Sequence, residues 1–116
     1  MSRFEGLIVW QRARELRIAI RDISKGVRDA NLRDQMTRAA ASIMANVAEG
    51  SERGTRPDFR RFLAMARGSC GELRNHLIVA HDDGFIDQVR FDALYDESCQ
   101  VCKMLSALIA NLGGSG

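Results

Sequence analysis

Apolar residues return at steps of three and four through four successive stretches of this 116-residue chain, and that spacing restricts its fold more than any other feature. Such steps follow the turn of an α-helix, so each stretch lays its apolar side chains along one helix face. The first stretch runs Val9, Ala13, Leu16, Ile20, Ile23, Val27, and the second Leu32, Met36, Ala39, Ile43, Val47. The third runs Phe59, Phe62, Ala66, Cys70, Leu73, Leu77, Ala80, and the fourth Leu94, Ser98, Val101, Leu105, Leu108, Leu112. No segment alternates with period two for long enough to make a strand. Glycines punctuate the chain: Gly26 ends the first stretch, Gly50 the second as a helix C-cap, and Gly84 the third. Thr55, Pro57 and Asp58 form a helix start, and Asp87 caps the fourth stretch. Segments of about 20–27 residues joined by short loops predict an all-α, antiparallel up-down-up-down four-helix bundle. It spans residues 1–112, with a flexible Gly-Gly-Ser-Gly tail at 113–116.

Composition agrees with a globular chain, at 46% apolar and 28% charged residues. No apolar run approaches the roughly 18–20 residues of a membrane helix, and charges occur throughout the first thirty residues, so neither a span nor a secretion signal is expected. Three cysteines, an odd number, point to free thiols in a reducing cytoplasm.

Reaction chemistry finds little to work with. Cys99 and Cys102 make a C-x-x-C inside a helix, whereas redox dithiols sit at helix N-termini that lower the thiol pKa. They read as small apolar residues, as does Cys70. A zinc site needs further ligands, and His76 and His81, five apart, fall on different faces. There is no Glu-x-x-His for a dimetal bundle and no nucleophile elbow, phosphate loop or dinucleotide fingerprint. His81 beside Asp82 and Asp83 is explained by a helix C-terminus. The expectation is a non-enzyme with no catalytic residues, metal or cofactor.

Charge is more informative. Residues 1–74 carry fifteen basic side chains against nine acidic, and residues 75–116 carry two against six. Arginine outnumbers lysine fifteen to two, which suits bidentate phosphate contacts or a GC-rich genome. Arg14, Arg17 and Arg21, followed by Arg28, share one face of the first helix, and Arg60, Arg67 and Arg74 recur every seven residues in the third. None of Arg14, Arg17, Arg21, Arg60, Arg67 and Arg74 has an acid three or four residues away. Each like pair in the first row costs a few tenths of a kcal/mol (~0.2–0.5) in an isolated helix, so something must offset it. Two readings stand open: a polyanion such as RNA or DNA, gripped through its phosphates without base readout, or acids of a neighbouring helix or subunit.

Two other patterns bear on assembly. The fourth helix carries a second apolar row, Phe91, Tyr95, Cys102 and Ile109, wider than a monomeric bundle needs, which suggests a homo-oligomer interface. The third has small residues at Ala64, Gly68 and Gly71 that allow a close helix approach. In the second helix Arg38, Ser42, Asn46 and Glu49 form a polar stripe, read as a hydrogen-bonded seam with Arg38 and Glu49 paired within or between chains.

That stripe lies in the run Gln35-Met36-Thr37-Arg38-Ala39-Ala40-Ala41-Ser42-Ile43-Met44-Ala45-Asn46-Val47-Ala48-Glu49-Gly50. The run resembles the bacterial four-helix-bundle family named for ribosomal protein S23 and the intervening sequences of 23S ribosomal RNA genes. Phe4, Leu7, Val9, Trp10, Ala13 and Leu16 are similar to that family's first helix. Phe59, Phe62, Leu63, Ala66, Gly68, Ser69, Glu72 and Leu73 are similar to its third. Met44 departs from the proline of many members and leaves the second helix unbroken. The resemblance implies a four-helix bundle assembling into a ring-shaped homopentamer. A more distant likeness, to accessory variability proteins of diversity-generating retroelements, implies nucleic-acid binding and a reverse-transcriptase or other protein partner. The family supplies no activity.

Overall fold

Side chains that satisfy orphaned backbone groups set the helix boundaries. The computed structural model describes residues 3–113: a short 3-10 helix (Phe4–Gly6), then α1 (Ile8–Ser24), α2 (Ala30–Glu52), α3 (Arg56–Asp82) and α4 (Gln88–Gly113). No strand occurs among the described residues. The Asp29 carboxylate accepts the Leu32 N–H at 3.0 Å, Thr55 accepts that of Asp58 at 3.3 Å, and Asp87 accepts that of Arg90 at 2.8 Å. Gly84, at φ +79°, takes the left-handed conformation that ends α3. Gly113, expected in the tail, closes α4; residues 114–116 lie outside the described residues.

Gly50 is not the cap of α2. The helix continues to Glu52, and the left-handed residue after it is Gly54, at φ +84°. Gly50 is buried instead, and a Cβ there would lie 2.7 Å from Phe62 Cβ and 3.1 Å from Phe59 Cδ1. Glycine is required because α2 passes directly over the first turns of α3.

Neighbouring helices pack in sequence, α1 on α2, α2 on α3 and α3 on α4, and α4 returns to α1 along the thinnest of the four interfaces. The backbones of the diagonal pairs stay apart, with no Cα of one within 8 Å of the other. The inner faces make one core from residues such as Leu16, Ile20, Met36, Ile43, Leu63, Leu73, Leu77 and Leu105, all fully buried. Ser98, also fully buried, escapes the cost of an unpaired hydroxyl by donating to the Cys70 carbonyl at 3.3 Å. The bundle measures 46 × 21 × 20 Å.

α4 buries least, with only Ser98, Val101 and Leu105 fully enclosed. Its second apolar row lies on the side turned to α3. Phe91 stacks on His81 of α3, with centroids 4.6 Å apart, and touches Tyr95 at 5.4 Å. Phe91, Cys102 and Ile109 pack against the core. Each member of the row is half-buried within the single chain. The large apolar side chains most open to water lie elsewhere, at Ile8, Ile18 and Val89. Ala64 and Gly68 sit on the outer surface of α3, where no helix of the same chain approaches Gly68.

These two glycines should respond oppositely to alanine. Gly68→Ala adds a methyl to open space and gains helix propensity, so it should raise stability by about 0.8–1 kcal/mol. Gly50→Ala drives the methyl into Phe62, and overpacking of about 1–3 kcal/mol should outweigh the same gain. Urea midpoints of the two variants, shifted in opposite directions, are the check.

Candidate functional site

The two arginine rows lie on different sides of the bundle, because α1 and α3 are diagonal. A single six-arginine ridge within one chain is therefore excluded. Each row meets a different neighbour.

The α3 row borders α4. Arg67 donates to Ser106 Oγ at 3.3 Å. The Arg60 guanidinium lies where a Cβ on Gly113 would be 3.1 Å away, at the C-terminal end of α4, where the helix dipole favours a cation. Nη1 of Arg74 is buried without a hydrogen-bond partner.

The α1 row borders α2. Arg17, half-buried, and Arg21 line an open groove of about 330 Å³ with Thr37, Arg38 and Ala41 of α2. Arg14 lies one turn earlier, its guanidinium 5.9 Å from the centre of the Trp10 ring. No carboxylate lies within 4.0 Å of Arg14, Arg17, Arg21 or Arg38 among the described residues. Three guanidinium groups from two helices thus share one groove that has no acidic lining residue.

The polar seam expected of α2 has Arg38 and Glu49 paired within or between chains; within the chain they do not pair with each other, since Arg38 lines the groove and Glu49 pairs with Arg53 at 3.1 Å, one turn away. The inner two members do meet. Asn46 Nδ2 donates to the Ser42 carbonyl and hydroxyl at 2.9 and 3.0 Å, and Ser42 Oγ lies 2.9 Å from Ser69 Oγ of α3. That places Ser42 and Asn46 at the α2–α3 contact.

Sequence spacing also missed Arg12. It makes a two-pronged pair with Glu97 of α4, both N–O distances 2.8 Å, while the other ion pairs of the described residues are local i,i+3 or i,i+4 contacts. The Glu97 carboxylate holds the guanidinium above its usual pKa. Its pattern gave no signal, because the partner is 85 residues away.

The thiols offer no metal centre: no three His, Cys, Asp or Glu side chains of the described residues could hold an ion. Cys70 is fully buried, while Cys99 and Cys102 are half-buried, so only Cys70 fits the expectation of a buried apolar residue in full. All three are free. Burial, followed by the nearby Cys102, pushes the Cys70 thiol up to about 12, against the pull of Arg74 and a hydrogen bond from Ser98.

With this geometry in place, relatives can be compared. The family described as 23S rRNA-intervening sequence protein matches residues 5–107. The chain belongs to that family. A protein with unknown function from the S23 ribosomal protein family of Bacteroides thetaiotaomicron VPI-5482, known from a crystal structure, is 22% identical. It superimposes with a TM-score of 0.82 over 88% of this chain and 98% of its own. At that identity the likeness establishes the fold alone. No curated protein matches the chain. Nor is any helix of the described residues long and apolar enough to cross a membrane.

The cysteine assignment predicts a labelling order. At pH 8.5 iodoacetamide should alkylate Cys99 and Cys102 in the folded protein and reach Cys70 only after unfolding. An unfolded thiol titrates near 8.5, so the raised folded value favours the neutral form. Its contribution is complete below about pH 8 and falls by about 1.4 kcal/mol per unit as pH rises from about 8.5 toward 12. Peptide mapping of singly labelled protein checks the order.

Proposed function

We propose that this protein is a non-enzymatic, oligomeric nucleic-acid-binding or adaptor protein that grips phosphates without reading sequence. One observation carries the reading: guanidinium groups from α1 and α2 converge on a groove without a carboxylate within 4.0 Å. Like charges so placed repel, and a polyanion relieves the repulsion while releasing its counterions. RNA or single-stranded DNA is the ligand class, and a reverse transcriptase or another protein the partner of an adaptor. The helices run up-down-up-down and antiparallel, supported by short loops and by contacts such as Ser42–Ser69 and Gly50–Phe59. The assembly in this reading is a homopentameric ring, as the resemblance in sequence implies, and the free thiols suit a reducing cytoplasm.

A scaffold without nucleic acid is the second reading, and it too has an observation behind it. Asp82, Asp83, Asp92 and Asp96 are exposed with no cationic side chain within 4.0 Å among the described residues, so a second copy could set them against the arginines.

Fluorescence anisotropy with labelled RNA and single-stranded DNA, at low and physiological salt, separates the two. Nucleic-acid binding should weaken steeply with salt, by about 0.7 in log K per log salt for each phosphate held on a single strand. No binding at low salt, with light scattering near five times the 12.9 kDa chain mass, would favour the scaffold.

A further inference from the structure

The two arginine rows are not equivalent, and their surroundings divide the work between them. We infer that the α1–α2 groove is a single-strand nucleic-acid track in which Arg17, Arg21 and Arg38 hold phosphates and Trp10 stacks an unpaired base, while the α3 row serves the bundle itself. The inference rests on the nucleic-acid reading above and deepens it.

The track joins two separate hollows along α1 that differ in charge. Its lower part, lined by Arg17, Arg21, Thr37, Arg38 and Ala41, has no acidic lining residue. Its upper part is a hollow of about 420 Å³ lined by Trp10, Arg14, Gln11, Ile18 and the acids Glu5 and Glu15. Those two carboxylates repel phosphate and tolerate a neutral ring. Trp10 is half-buried, packed in part against the core and in an edge-to-face contact with Phe4 at a centroid distance of 5.2 Å, with the Arg14 guanidinium over its ring 5.9 Å from the centre. An indole held this way becomes a stacking platform when Arg14, an exposed side chain, moves from over the ring to stack on the base in turn, because every base has a π-face and arginine stacks on it too.

Length and strandedness follow. Trp10 to Arg21 is eleven residues of α1, or about 16 Å at ~1.5 Å per residue. At ~3.4 Å per phosphate along a stacked strand, that covers about four or five phosphates. A base reaches Trp10 only when it has left its partner strand, so the track selects single strands over duplexes.

The α3 row lacks such freedom. Arg67 is engaged with Ser106, Arg60 lies on the end of α4, and the buried Nη1 of Arg74 cannot reach a phosphate in solvent. These arginines follow the α3–α4 seam.

Trp10, the sole tryptophan, supplies the probe. Its emission should be quenched by an oligothymidylate of about twelve nucleotides and unchanged by a duplex of equal length. Arg17→Gln/Arg38→Gln should weaken strand binding at least about tenfold and lower the salt slope by about 1.4, two single-strand phosphate contacts. Arg17→Lys/Arg38→Lys should keep most of the affinity, and Arg60→Gln/Arg67→Gln should stay within about twofold. Circular dichroism and light scattering must match the native protein in every variant. Strand binding lost in the α3 variant and kept in the groove variant overturns the placement and leaves the nucleic-acid reading standing. Equal binding of duplex and strand with unaltered Trp10 emission overturns the stacking. Failure of the native protein to bind either at low salt overturns the nucleic-acid reading, and the track with it.

Discussion

Close contact between α2 and the opening turns of α3 sets the geometry from which everything else is placed. With no side chain at Gly50, Phe59 and Phe62 lie against the α2 backbone. Further along, Ser42 meets Ser69 at 2.9 Å, a pair of small hydroxyls that also keeps the axes near. Two helices held this closely offer a continuous apolar trough, from Met36 and Ile43 to Leu63 and Leu77, all fully buried. α1 and α4 close it from opposite sides. Their contact with one another is thin, and Arg12–Glu97 bridges it with charge where apolar area is scarce.

The same arrangement decides what the arginines can do. Each helix spends its inner face on the core, so long cationic side chains emerge along the edges between neighbours. For α3 that edge is α4, which offers Ser106 and a helix C-terminus and so absorbs the positive charge. For α1 the edge is α2, which offers another arginine. The repulsion between Arg17 and Arg21, visible in the local sequence, is therefore deepened by the fold rather than relieved. A chain that leaves such a cost standing has a surface that gains when an anion arrives.

Periodicity made the core legible, because the positions that must be buried are the ones that recur each turn. Val9, Ala13, Leu16, Ile20 and Ile23 all proved buried, as did the row from Met36 to Val47. Capping was legible for the same local reason: Thr55 and Asp87 act within three residues of themselves. Gly50 misled, since a glycine after a polar residue looks alike whether it ends a helix or admits a neighbour, and only Phe62 distinguishes the cases. Arg38 shows a matching limit. Its stripe partners share its helix, but its groove partners come from α1, and no one-helix pattern encodes which neighbour an edge residue will meet. The second row of α4 suggests a surface for another chain because two stripes exceed one core face; within the chain the row is half-buried beside α3, which leaves part of it open.

Assembly changes the meaning of a weak groove. Three guanidinium groups on one chain hold few phosphates, and affinity at physiological salt falls steeply with each counterion that must be displaced. Copies arranged around a closed ring would present the groove repeatedly to one strand. Each later contact then forms at the high effective concentration set by the strand already held. A modest site repeated this way binds long strands far better than short ones, without added contacts on any one chain. Length dependence would thus report the oligomer, while the salt slope of a short strand reports the groove. The exposed Ile8 and Val89, outside both hollows of the track, leave apolar surface for such assembly that does not compete with the strand.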